Sequence, residues 1–298
     1  VVDRPSCKRT AGFRYNALPA GDEVLRYALA LFFAAAAART YPRVAWMFRH
    51  RTWLIQETLL PVLGVAALAT TYRWLGAPTD YVGVVILGAA MTTFWLNVLW
   101  SLGAHLYWER DSGNLELYIM SPAPMMGILA GMAVGGLLTT LVRAAAIFTA
   151  GVLLFGVTFN LDRWPLLLVV FVLTMVALYG LGMMFASLFL LFGREAWHTV
   201  NLLQEPVYLL TGMNFPLSAM QKITGTAVPA VAMIIPLTAG IDAMRQLLFP
   251  KVEQFLDVEW EIVILAVLGV VFVGLAKWCL DRLERKARVE GTLGARWQ

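Results

Sequence analysis

His50, His105 and His198 are the side chains of this sequence best suited to hold a metal ion or shuttle a proton. They stand far apart along the chain and show none of the close spacing that a zinc site needs, so each reads as a polar residue near a helix end. A phosphate-binding loop is also missing. The stretch Gly269 to Lys277 runs Gly-x-x-x-x-Gly but continues Leu275-Ala276-Lys277 inside an apolar segment. Hydrolysis of ATP by this chain alone is therefore not expected. Cys7 and Cys279 make neither a disulfide framework nor a metal set. With no cluster of acid, base and nucleophile, the expectation is a chain without catalytic residues, metal or cofactor of its own.

The chemistry that remains is recognition and packing. Trp108-Glu109-Arg110-Asp111-Ser112-Gly113-Asn114-Leu115-Glu116-Leu117-Tyr118, followed by Ser121-Pro122-Ala123-Pro124, joins three carboxylates and one arginine to apolar Leu115, Leu117, Ile119 and Met120. A merely solvated connection has no need of four apolar residues, so this segment is expected to form a short helix that contacts another protein. Gly113 offers a bend at its start. Arg143 lies within a long apolar run, where facing lipid at mid-depth costs about 2.5 to 3.5 kcal/mol. It is expected to face the interior. Glu57, Glu205 and Asp242 are its possible partners by type, and an ion pair and a substrate contact both remain open. Gly127, Gly131 and Gly135 repeat every fourth residue, with Gly136 adjacent, giving a helix face without side chains for close helix packing.

The elements that carry these residues are set by the solvent the composition demands. Hydrophobic residues are 60% of 298 positions, charged residues 14%, and mean hydropathy is +0.71, which excludes an ordinary soluble domain. A membrane helix needs about 20 mainly apolar residues. Stretches near Trp53 to Leu75, Tyr81 to His105, Met126 to Phe155, Trp164 to Phe192 and Ile262 to Leu280 meet or approach that length. A sixth begins near Val200 and breaks at Gly212 and Pro216. The fold class is thus an all-α integral membrane protein of about six spans, with an N-terminal portion 1–52, a transmembrane domain 53–280 and a basic tail 281–298.

With the amino terminus inside, seventeen of the 23 Lys and Arg fall in inner segments and five in outer ones, Arg143 being the remaining one. Both termini are therefore expected in the cytoplasm. The charge of +4 concerns membrane orientation, and no nucleic-acid signature accompanies it. Tyr27 to Ala38 is too short to cross and is followed by Arg39, Arg43, Arg49 and Arg51. A signal peptide is one reading, but Asp22, Glu23 and Arg26 directly before the run favour a helix along the membrane surface, bent at Pro42, with arginines toward head-group phosphates. Between Asn214 and Leu248, Pro216, Gly225, Pro229, Pro236 and Gly240 punctuate apolar sequence. Broken backbone must be shielded from lipid, so a re-entrant segment between spans five and six is expected, a folded outer loop being the alternative.

Glu109 to Leu117 with Ser121-Pro122 resembles the cytoplasmic motif of type-2 permeases of ATP-binding-cassette exporters. Gly212-Met213-Asn214-Phe215-Pro216-Leu217-Ser218, then Ile235-Pro236-Leu237-Thr238 and Asp242-Ala243-Met244-Arg245, resembles that family's second signature. The likeness runs from about residue 40 to 280. It departs at Met220-Gln221, where family members carry a Leu-Pro pair.

The resemblance implies two copies of a separate ATPase subunit, which would hold ATP and Mg, and a second permease chain, either a copy or a relative. It also implies that the segment Glu109 to Ile119 is a coupling helix docking on that ATPase. The expected cargo is a drug-like or lipid amphiphile, given short outer loops. Export of polysaccharide or glycolipid is the alternative, for which Phe94, Trp95, Trp100 and Tyr179 would line the dimer interface and stack on sugars. An ion-coupled secondary transporter fits less well, since no internal repeat and few intramembrane acids are seen.

Overall fold

A computed structural model describes residues 21–103, 105–192 and 196–290, all helical or connecting, with no strand among them. Helix α1 (Gly21–Arg49) is followed at His50 by α2 (Arg51–Trp74). Helix α3 (Thr79–Leu96) leads through a π-helical stretch, Asn97–Gly103, to α4 (His105–Asp111). After α5 (Leu115–Met120) come α6 (Met125–Phe155), α7 (Trp164–Phe192) and α8 (Ala196–Leu210). Three short helices, α9 (Leu217–Thr224), α10 (Ala227–Ala232) and α11 (Pro236–Leu248), precede α12 (Val258–Glu290). Cys7 and residues 291–298 of the expected tail lie outside the described residues.

Five of these helical segments are long and apolar enough to cross a membrane: Arg51–Trp74, Thr79–Arg110, Met125–Phe155, Trp164–Ser187 and Val258–Leu283. The protein is thus a multi-pass membrane protein. The expected fifth span corresponds to α8, which has 15 residues. It stops before Gly212, whose φ of 66° is left-handed backbone that suits glycine. Helix α6 ends likewise on Gly156, with φ 62°, whose N–H bonds the Val152 carbonyl at 3.0 Å.

The spans differ sharply in how much the chain itself covers them. In an apolar stretch of the α3 span 83% of the residues are buried, in that of α2 only 11%, so α3 is the hub and α2 faces outward. Glycines let neighbours approach that hub. A Cβ on Gly88 would lie 1.7 Å from the Met213 carbonyl oxygen, and one on Gly83 2.3 Å from the Phe249 ring. Helix α11 is brought against α7 in the same way, where a Cβ on Gly240 would meet the Thr174 side chain at 2.3 Å. All but one residue of α11 is buried, among α3, α7 and α12.

The surface helix differs from its expectation in extent and in contacts. Tyr27 to Ala38 is the middle of α1, a 29-residue helix that includes Pro42. One side of α1 packs along α6, and Leu25, Tyr27, Leu29 and Phe33 are exposed on it. The aromatic track proposed for sugar stacking is also corrected. Phe94, Trp95 and Tyr179 are buried within the single chain, with Phe94 edge-on to Phe171 at 5.5 Å. Trp100, partly buried, donates to Gln204 Oε1 at 3.3 Å. Apolar helices of a membrane protein look alike in sequence on their inner and outer faces, and these rings fill the inner one.

Candidate functional site

The segment from α4 to α5 is a folded corner. Helix α4 closes with Ser112 N–H bonded to the Trp108 carbonyl at 2.9 Å, Gly113 N–H to the Arg110 carbonyl at 3.0 Å and Asn114 N–H to the Glu109 carbonyl at 2.9 Å. Gly113 turns the chain with φ 78°, so the bend expected there is present. The Ser112 hydroxyl adds a 2.7 Å bond to the Trp108 carbonyl. Helix α5 then starts at Leu115.

Glu109 faces inward and ties this corner to α1. It accepts from Arg39 and from Asn114 Nδ2 at 2.9 Å, and His105 Nε2 lies 3.0 Å away. The Arg39 guanidinium sits over the Tyr118 ring at 5.2 Å. Burial pushes the Tyr118 hydroxyl up to about 12, so it keeps its proton. Arg39 therefore turns to Glu109, where the sequence suggested head-group phosphates. The pairing of a surface-helix arginine with a loop carboxylate is a long-range contact that no local spacing announces.

The apolar residues of the corner divide. Leu115 is 1% exposed and belongs to the chain's own core, whereas Leu117 and Met120 are 61% and 74% exposed. Leu117 and Met120 thus present apolar surface outward, whereas Leu115, though in the expected contact segment, is taken up by the chain's own packing. Arg110 is half-buried, and the side chains of Asp111, Glu116 and Ile119 lie outside the described residues.

Arg143 selects one of its three candidate partners. Its Nη2 lies 2.9 Å from Glu57 Oε2 on α2, with Trp53 5.4 Å beneath the guanidinium. Glu205 is exposed on α8, and Asp242 pairs instead with Arg245 at 3.3 Å. The glycine face of α6 receives α1. A Cβ on Gly127 would stand 3.0 Å from the Phe32 carbonyl oxygen, one on Gly131 2.4 Å from that of Ala36, and one on Gly135 3.1 Å from Arg43 Cδ. Thr40 Oγ1 completes the seam with a 2.9 Å bond to the Gly131 carbonyl.

The second signature is also brought together. Arg245 Nη2 donates to the Gly212 carbonyl at 2.6 Å, and Asp242 Oδ2 accepts from Phe255 N–H at 3.3 Å. Tyr72 hydroxyl donates to the Asn214 carbonyl at 2.9 Å, and Thr92 Oγ1 to Met213 Sδ at 3.0 Å. Phe215 is half-buried, Pro216 caps α9 and Pro236 opens α11. Gln246 Nε2 bridges the Leu256 carbonyl at 2.6 Å and Glu261 Oε2 at 3.0 Å, a contact that sequence reasoning missed.

Among the described residues no group of His, Cys, Asp and Glu has metal-site geometry. The family model for the ABC-2 type transporter membrane region matches residues 43–249. A comparison with curated proteins finds no match.

Proposed function

Since that match covers most of its length, the chain belongs to the ABC-2 type transporter family, and we propose that it is the permease subunit of an exporter driven by a separate ATPase. The family's membrane domain carries no ATPase site and works with ABC ATPase subunits. In the proposed assembly two ATPase copies bind ATP and Mg, and two permease chains meet in the membrane. The sparsely covered face of α2, with Ile55, Leu59 and Leu63 exposed, supports a neighbour there. The proposed topology has both termini in the cytoplasm, α8 as the fifth crossing, and α9 to α11 re-entering among the other spans.

The observation that carries the reading is the α4–α5 corner, which shows Leu117 and Met120 outward while Glu109 holds Arg39 inward. A force applied at the exposed side passes through Glu109 to α1, and through the glycine seam to α6. ATP binding closes the ATPases, the corner moves with them, and the permease pair changes between inward and outward openings. Nucleotide must bind the two states with different affinity for this to occur. The proposed cargo is a drug-like or lipid amphiphile moved outward, supported by the short connections 75–78 and 156–163 at the far end.

The test is transport of a fluorescent amphiphile in proteoliposomes that hold this chain with its ATPase. ATP-dependent accumulation is expected, with none for the chain alone under an ion gradient. Gradient-driven transport without the ATPase would replace this reading with a secondary transporter.

A further inference from the structure

Beside the corner lies a half-open cavity of about 490 Å³, lined by α1, α2, the π-helical stretch, α4 and α6. Its lining includes Arg39, Arg43, Trp46, Trp53, His105 and Glu109. The volume falls in the range of small-ligand sites. The charges do not balance. Arg39 and His105 both face Glu109, and the neighbouring Arg143 is matched by Glu57. Arg43 has no ion-pair partner among the described residues: Arg143 and Arg39 oppose its charge, and the nearby Tyr179 hydroxyl is the group that favours it.

The fold places this unmatched cation deliberately close to the α6 backbone. Arg43 stands four residues after Arg39 on α1, so both fall on the same helix face. Its stem crosses α6 at Gly135, where a Cβ would come within 3.1 Å of Arg43 Cδ. Any larger residue at 135 displaces the stem. A half-buried guanidinium so held, without an ion-pair partner among the described residues, is stabilised by an anion that brings its own oxygens. Trp46 and Trp53 meet edge-on at 4.8 Å where α1 passes into α2. Such paired indoles are the side chains of a membrane–water boundary.

We propose that this cavity is an oxyanion site, in which Arg43 binds a phosphate-class group carried by an anionic amphiphile or supplied as free phosphate. Arg43 makes the charge-assisted bonds, Arg39 adds field while held by Glu109, and the two tryptophans flank the substituent of the anion. The site stands independently of the export reading, because binding is read on the chain without ATP.

The test uses the full chain purified in neutral detergent, probed by native mass spectrometry with phosphatidylglycerol or phosphatidylcholine. Thermal unfolding with inorganic phosphate, chloride serving as control, forms the second arm. Retention of phosphatidylglycerol over phosphatidylcholine by about tenfold is expected, the loss of one charge-assisted contact being of that order. Arg43→Gln abolishes the preference, Arg43→Lys keeps part of it, and Lys222→Gln, at a cation paired with Glu253, leaves it unchanged. Stabilisation by phosphate without lipid selectivity assigns the site to the free anion; lipid selectivity without it assigns the site to a head group. Equal retention of both lipids by the unmodified chain together with no phosphate effect overturns the proposal, and that comparison needs no variant to fold. Wild-type selectivity in Arg43→Gln overturns it as well.

Discussion

Arg143 on α6 and Glu57 on α2 meet at 2.9 Å, and the Trp53 ring lies under the same guanidinium at 5.4 Å. This pair joins the sparsely covered α2 to the rest of the bundle. Glu57 remains 38% exposed, so the interaction is worth less than that of a fully enclosed pair. Arg143→Ala is expected to cost about 1 to 3 kcal/mol, and Arg143→Lys less, since the ammonium keeps the charge but not the planar fork. A double-mutant cycle with Glu57→Gln, read by thermal unfolding in detergent, measures the coupling. Additive effects of the two substitutions would show that the pair does not stabilise the chain.

The seam between α1 and α6 makes a sharper prediction. Even one methyl group at Gly131 would come 2.4 Å from the Ala36 carbonyl oxygen and 2.9 Å from Arg39 Cβ. Backbone has little room to yield, so Gly131→Ala is expected to lose about 1 to 3 kcal/mol, and Gly131→Leu more. At Gly274 on α12 nothing lies within 4 Å of an added Cβ. Gly274→Ala is expected to be neutral or to gain up to about 1 kcal/mol from helix propensity. Unfolding midpoints of the three variants in one detergent give the ranking. Equal midpoints for Gly131→Ala and Gly274→Ala would contradict it.

These two sites show what was legible in the sequence. Four-residue glycine spacing on one helix announces a close-packing face, and Arg143 in an apolar run announces a partner, because both follow from local rules. Neither rule names the helix that arrives, so α1 over Gly131 and Glu57 beside Arg143 required the fold. The inward position of Phe94 and Trp95 is not legible for a related reason: in lipid an apolar residue carries no mark of facing inward or outward. The burial of Leu115 is not legible in the sequence because α5 has only 6 residues, too few for periodicity to distinguish its faces. The Pro and Gly breaks at Gly212, Pro216 and Pro236 were legible, since those residues end or open helices wherever they fall.

Arg245 holds the second signature together from within. It is 1% exposed, as is Asp242, and it donates to the Gly212 carbonyl at 2.6 Å. Arg245→Met leaves a buried carboxylate without its cation and a carbonyl without its donor, a loss of about 3 to 5 kcal/mol. Asp242→Asn made together with Arg245→Met removes the stranded charge and is expected to recover part of that loss. Folded yield and unfolding midpoint of the single and double variants decide this. A double variant worse than the single would mean that Asp242 is held by other contacts, such as the Phe255 N–H.

The α4–α5 corner separates two effects that the sequence would have merged. Leu117 is 61% exposed and Leu115 1%, although they are two residues apart on the same short helix. If the exposed side meets the ATPase, Leu117→Asp removes apolar contact area there and adds a charge that must be desolvated. The chain's own core is untouched, so folding should persist while the ATPase co-purifies poorly and cargo no longer stimulates its hydrolysis in nanodiscs. Met120→Asp is expected to act in the same direction. Leu115→Asp instead places a carboxylate in the core, and its effect should appear first as a lowered unfolding midpoint of the permease alone. Exposed ion pairs at the rim contribute only about 0 to 1 kcal/mol, so charge changes there should matter less than Leu117. Normal ATPase binding and stimulation in both Leu117→Asp and Met120→Asp would remove the corner from the coupling interface.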